Sequence, residues 1–171
     1  MRGLRPAGLA IVSVSLLFAG CGRSQEVAVP ARAERSAASS SAYVADVGEI
    51  KVEYRPVLIP SRMAPNSRVE VQFEAKNVGA KIWPVGGANP LRFGYHWEVL
   101  RGDGNWDRVV WDDSNRGMLK SDTKPGEMVV ITLPVRALPK SCPTCRLVIA
   151  PLLEMKAWSE TTRYVAPVNV S

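Results

Sequence analysis

The sequence predicts an all-β domain, an antiparallel sandwich of about seven to eight short strands. Two observations carry this. Apolar and polar residues alternate with period 2 over residues 50–55, 68–76 and 91–99, the pattern of strands with one buried face. Between such runs fall Gly, Pro, Asn and Asp; 13 Pro and 13 Gly in 171 residues fit a chain of frequent turns. Residues 49–171 are about the size of one immunoglobulin-like module.

The first expected strand places Ile50, Val52 and Tyr54 on one face. Pro56 and Pro60 point to an edge, or to a strand that switches sheets, because proline cannot donate to a ladder. After the turn at Ala64-Pro-Asn-Ser67, the second strand places Val69, Val71, Phe73 and Ala75 on one face. Asn77-Val-Gly79 breaks it, Ile82-Trp83 is a short strand, and Gly86-Gly87-Ala-Asn-Pro90 is a loop. Leu91, Phe93, Tyr95, Trp97 and Val99 then give the strongest alternation in the chain. Gly102-Asp-Gly104 turns it back into Arg108-Val-Val-Trp111, a hairpin. Past the turn at Lys124-Pro-Gly-Glu127, residues 128–135 are apolar on both faces in places and read as a central strand. Residues 146–153 and 164–170 complete the set.

Upstream of residue 49 the composition changes. Arg2 and Arg5 precede an apolar run at residues 9–18, and small residues then lead to Cys21, the pattern of a secretory signal. The run is shorter than the roughly 20 residues a spanning helix needs. Leu17-Phe-Ala-Gly-Cys21 resembles the lipobox of bacterial lipoproteins, with Phe18 where Leu is commonest. The resemblance implies a signal peptide over residues 1–20 and palmitate-type acylation of Cys21. It implies a membrane partner through that lipid and a place in the cell envelope. Gly22, a non-aspartate after the cysteine, implies the outer membrane, periplasmic side, in a diderm host. Acyl chains anchor because each buried methylene contributes about 0.8 kcal/mol. Residues 21–48 hold Ala31-Arg-Ala-Glu-Arg-Ser-Ala-Ala-Ser-Ser-Ser-Ala42 and keep no period. Such a segment buries too little to offset its ordering entropy, so a flexible linker is expected there.

The net charge is +6, and Arg2 and Arg5 lie in the signal, leaving 20 basic against 16 acidic residues. Basic and acidic residues alternate (Arg68/Glu70, Glu74/Lys76, Arg101/Asp103), so no basic face for nucleic acid is expected.

Asn77-Val-Gly79, Trp83-Pro84, Asn89-Pro90, Tyr95-His-Trp97, Asp103-Gly104, Pro125-Gly126-Glu127 and Ala157-Trp158 occur in an order that resembles an immunoglobulin-like accessory domain of bacterial glycosyltransferases and methyltransferases. The likeness covers about residues 65–165. It implies an immunoglobulin-like β-sandwich with a non-catalytic role, binding sugar or a partner. Cys142-Pro-Thr-Cys145 departs from that pattern, which more often has a Gly-x-Tyr entry there. A weaker resemblance, to a proteinase-inhibitor-like sandwich, rests on the order of Gly-Asp-Gly, Val-Val-Trp and Pro-Gly-Glu.

No enzyme site assembles from the sequence, and no cofactor is expected. His96 is the sole histidine, on the face opposite Tyr95 and Trp97, where a surface or loop-packed side chain is expected. No Gly-x-Ser-x-Gly motif accompanies it. With Cys21 acylated, Cys142 and Cys145 remain to pair, and an exported compartment permits a disulfide that pins their loop. A redox dithiol would want a helix N-terminus to lower a thiol pKa, whereas a strand follows here. Zinc would want about four ligands. Asp103-Gly-Asn-Trp-Asp107 begins like a calcium loop but lacks its later Gly and Glu, so a solvated turn is expected and no metal. Of the five tryptophans, Trp97 falls on the core side. Trp106 sits among Asn and Asp, where the ring either caps the core from a loop, as Trp commonly does, or, if exposed, stacks on a sugar or anchors a partner. The expected ligand residues are therefore Trp83, Trp106, Asp112, Asp113 and Arg116, with a glycan or an envelope protein as the partner.

Overall fold

The computed structural model describes residues 42–109 and 114–171. The signal at residues 1–20, Cys21 and most of the linker lie outside the described residues, as do Trp111, Asp112 and Asp113. The described residues are nearly all β. Apart from a single 3-10 turn at Val47–Glu49 they form strands and connections: β1 (Val52–Leu58), β2 (Arg62–Met63), β3 (Arg68–Asn77), β4 (Leu91–Leu100), β5 (Trp106–Val109), β6 (Gly117–Met118), β7 (Met128–Arg136), β8 (Cys145–Leu153), β9 (Ala157–Trp158), β10 (Tyr164–Pro167) and β11 (Asn169–Val170). None contains a helix long and apolar enough to cross a membrane.

Two antiparallel sheets share the core. The first has the order β1-β3-β7, and the second has the order β10-β8-β4-β5, with β6 also on β4 and β9 on β8. Alternation decides which side chains face inward. Phe73 of β3 meets Phe93 of β4 edge to face, with centroids 5.4 Å apart, and Tyr54 of β1 meets Phe93 at 6.2 Å. Hydrogen bonds cross the core as well. The indole N–H of Trp97 donates to the Arg136 carbonyl at 2.9 Å, and the Arg136 N–H donates to the Tyr95 hydroxyl at 2.9 Å. Both strong sequence alternations, at residues 68–76 and 91–99, are thus strands facing one core.

Pro56 does mark an edge: β1 is the outer strand of its sheet, and its register slips between Pro56 and Leu58. The expected hairpin forms, with Trp97 opposite Val109 and Leu100 opposite Trp106. Its turn is held by Asp103, whose carboxylate accepts the Asn105 N–H at 2.9 Å. Residues 128–135 are not a central strand. β7 lies at an edge, and its apolar outward residues Met128 and Val130 are about half exposed, which is why both faces looked buried in the sequence. The segment 164–170 is two strands rather than one: β10 pairs with β8, and β11 pairs in parallel with β2.

The packed region reaches upstream of residue 49 to Ala42. Tyr43 bridges Ile82, Val44 is 6% exposed, and the Tyr43 hydroxyl donates to Asp122 at 2.8 Å. Lys81 pairs with Glu49 at 2.9 Å. At the same end, buried Asn77 donates to the Lys81 and Thr123 carbonyls and accepts the Gly79 N–H. That single amide side chain organises the break after β3.

Candidate functional site

On β4, the residues facing away from the core are Arg92, Gly94, His96 and Glu98. His96 is 3% exposed and Glu98 6%. His96 is covered by the β9 residue Trp158, whose ring lies over Gly94 and meets His96 at a T-shaped 6.4 Å. A Cβ on Gly94 would come within 2.2 Å of the Trp158 ring, so the strand needs glycine here for Trp158 to seat. Arg108 and Arg116 place their guanidinium carbons 5.4 Å and 5.1 Å from the Trp158 ring centroid, a cation–π arrangement. Arg116 also pairs with Glu154 at 3.0 Å.

Glu98 gathers three groups. Arg146 pairs with it at 2.5 Å, Arg163 at 3.1 Å and His96 Nε2 at 3.3 Å. Burial pushes the Glu98 carboxyl up, but the hydrogen bonds from Arg146 and His96 and the charges of Arg146 and Arg163 together hold it below its ordinary value. Burial, and then the charge on Arg108, push His96 down, against the opposite pull of Glu98 and Glu160. A neutral imidazole with its proton on Nε2 satisfies the contact to Glu98. Of the surface or loop-packed side chain expected for His96, the structure has the packed form, beneath Trp158, and the cluster is closed to a substrate.

Arg146 links this cluster to an open site. Its guanidinium carbon lies 4.0 Å from the centroid of Trp106, while the Nε and Nη2 edge of the same group is held by Glu98. One face of the indole is therefore backed by a fixed cation, and Trp106 remains 37% exposed. The ring borders a groove of about 350 Å³ that also includes Ser61, Thr144 and Asn169. Trp106 opens β5 at the hairpin end, and the C-terminal segment brings Asn169 alongside through the β11–β2 pairing.

The same end holds Cys142 and Cys145. The sequence pointed to a disulfide; the structure has two buried free thiols instead. The Cys145 thiol donates to the carbonyls of Cys142 at 3.0 Å and Val168 at 3.1 Å, an arrangement that needs the S–H a disulfide lacks. Burial, with help from the neighbouring Cys142, pushes the Cys145 thiol up to about 12. Such a group is the reverse of an activated redox thiol. The loop is pinned by the backbone: Cys142 and Val170 exchange N–H and carbonyl at 2.7 and 3.0 Å. Among the described residues no three His, Cys, Asp or Glu side chains gather as a metal-ligand set.

The remaining expected ligand residues do not converge on Trp106. Trp83 is fully buried against Phe93, with centroids 6.0 Å apart. The loop that follows it closes through the Leu91 N–H to the Pro84 carbonyl at 2.8 Å, at the start of β4. Trp106 pairs with the last residue of that ten-residue strand, so about 30 Å of strand separates the two. The loop over residues 84–89 lines a different cleft, of about 770 Å³, with Tyr43, Asp122 and Lys156. Arg116 is engaged with Trp158 and Glu154. Sequence reasoning missed Ser61, Thr144, Arg146 and Asn169. Only the outward alternation of Arg146 after Cys145 hinted at one of them.

An all-β domain with a backed, half-open tryptophan beside a groove lined by prolines, Val168 and a few polar side chains is the class of protein that fold and site define. No protein-family model matches the chain, and no curated protein matches it. Among solved structures it is similar to AvmM, which catalyses macrocyclization in alchivemycin A biosynthesis (8% identity, 72% of this chain and 89% of that one, TM-score 0.43). It is also similar to the sporulation control protein Spo0M from Bacillus subtilis (11% identity, 70% and 49%, TM-score 0.41) and a β-glucosidase from Listeria innocua (11% identity, 71% and 16%, TM-score 0.40). The chain spans about half the length of the second and a sixth of the third.

Proposed function

We propose that this chain is a lipid-tethered, non-catalytic binding module of a bacterial cell envelope, and that its immunoglobulin-like sandwich takes carbohydrate in the groove beside Trp106. The observation that carries the reading is Trp106 itself: 37% exposed, backed by Arg146 at 4.0 Å, and flanked by Ser61, Thr144 and Asn169. A rigid aromatic face next to hydroxyl and amide groups suits a sugar ring, whose C–H face stacks while its hydroxyls hydrogen-bond. Arg2 and Arg5 before the apolar segment and the lipobox ending in Cys21 support export and acylation. The likeness to accessory domains of bacterial glycosyltransferases supports the sandwich and the absence of catalysis. The outer membrane, periplasmic side, is the proposed address in a diderm host.

A glycan array probed with the detergent-solubilised protein tests this. It should give hits that Trp106→Ala weakens by about tenfold or more, as expected for loss of a hot-spot aromatic. An empty array from a folded protein would overturn the reading. A second reading, a protein partner pairing with an edge strand, is favoured by one observation: β1 is an edge whose Val57 and Leu58 are more than half exposed. Crosslinking through β1 in envelope preparations tests it.

A further inference from the structure

His96 has two ring nitrogens and a partner for one of them. Nε2 lies 3.3 Å from Glu98 Oε1, while Nδ1 is buried with no hydrogen-bond partner among the described residues. The hydroxyl of Ser159, the residue after the covering Trp158, is buried and unpartnered too, so it does not serve that nitrogen. With the proton on Nε2, Nδ1 is a lone pair without a donor. A second proton makes it a charged N–H without an acceptor, which costs far more in a dry site.

Charged groups reach this imidazole from every element around it. Glu98 lies on β4, Arg108 on β5, Arg146 on β8, Glu160 just after β9 and Arg163 just before β10. Arg116, just before β6, packs on Trp158 and pairs with Glu154. Glu98 is the carboxylate that touches His96, and it is already shared between Arg146 and Arg163. Burial, and then the charge on Arg108, hold the imidazole neutral in the closed cluster against the pull of Glu98 and Glu160.

What closes the cluster is slight. β9 is two residues long, paired with β8 at Leu152–Trp158 and Leu153–Ala157, and the Ser159 N–H adds one bond to the Pro151 carbonyl at 2.9 Å. Rotation of the Trp158 side chain uncovers His96 without breaking any of these, a local opening far smaller than unfolding. Water that enters then supplies Nδ1 with its acceptor. We propose that Trp158 is an acid-released cap, and that a proton taken from solvent by His96 Nδ1 swings the ring off β4. The closed form excludes that proton and the open form accepts it, so falling pH shifts the population toward the open form. Opening turns the indole to solvent and bares His96 and Gly94 on the outer face of β4. The cap works whether or not Trp106 carries a sugar.

The test is proton NMR of the detergent-solubilised full chain, stepped from about pH 7.5 down to about pH 4.5. His96 is the one histidine of the chain, so its Cε1 proton reports the titration directly. The Trp158 ring edge lies against Gly94, so the closed form should give a strong Overhauser signal between the Trp158 Hη2 and the Gly94 α-protons. That signal should be lost along the curve on which His96 titrates. The indole N–H of Trp97, bonded to the Arg136 carbonyl across the core, should stay in place meanwhile. In His96→Gln the Overhauser signal should persist over the whole range. Should that variant not fold, the wild-type curves decide by themselves. A signal that survives on a protonated His96 would overturn the cap, as would one lost only when the Trp97 resonance collapses in global unfolding. A His96 that stays neutral beneath an intact signal throughout the range would overturn it as well. Loss at the same pH in folded His96→Gln would overturn the assignment of the trigger to His96.

Discussion

His96 shows how much one side chain's surroundings decide. It is the chain's one histidine, so the pH dependence of stability just below 6.5 isolates it. Burial holds its folded pKa below the ordinary 6.5. The folded state therefore resists a proton that the unfolded chain accepts. Stability is complete above pH 6.5 and is lost as pH falls from there toward the folded pKa. Glu98, also held low, adds a second loss below its ordinary 4.5 as its pairs with Arg146 and Arg163 are broken. Denaturant titrations at stepped pH should show both windows, and His96→Gln should flatten the first and keep the second. A first window unchanged in His96→Gln would contradict the packing described for it. The thiols make a second residue-scale test. Alkylation after denaturation without reductant should add two groups at Cys142 and Cys145, whereas none would mean a disulfide. Composition could not settle that pair: Cys-x-x-Cys reads the same bridged or free, and what decides is which carbonyls the Cys145 thiol meets.

At the scale of elements, alternation was legible where one face is buried. β3 and β4 appear in the sequence almost as they stand in the structure. β7 did not, because Met128 and Val130 are apolar yet outward, and period 2 cannot tell a second buried face from an exposed apolar one. The strands of two residues, β2, β6, β9 and β11, carry too few side chains to show a period at all. β9 nevertheless matters most among them, since its Trp158 closes the outer face of β4. Gly94→Ala tests that contact. With a Cβ meeting the ring at 2.2 Å, Trp158 must move, and overpacking should cost about 1–3 kcal/mol by denaturant unfolding. The same variant should quicken solvent access to His96. An unchanged midpoint would mean that Trp158 does not sit on Gly94.

For the whole molecule, the domain starts earlier than composition implies. Val44 and Tyr43 interrupt an otherwise small and polar stretch, and two such residues are too few to register as a pattern. A fragment beginning at residue 49 should be less stable than one beginning at residue 42 by about 2 kcal/mol or more, the worth of burying one valine and keeping the Tyr43–Asp122 bond. Equal midpoints would place residues 42–48 outside the cooperative unit. The candidate site was half legible. Trp106 stood out in the sequence by its polar neighbours, but its partners came from the residue before β2, the loop before β8, β8 and β11, and were joined only by the second sheet and the separate β11–β2 pairing.

The proposed carbohydrate site stands or falls with Trp106 as its platform. It is tested most directly by following the five indole N–H resonances of the chain while the best-binding glycan is added. The Trp106 signal should move and saturate with the ligand while those of Trp83 and Trp97, buried in the core, stay in place. Saturable binding that leaves Trp106 unmoved would contradict it.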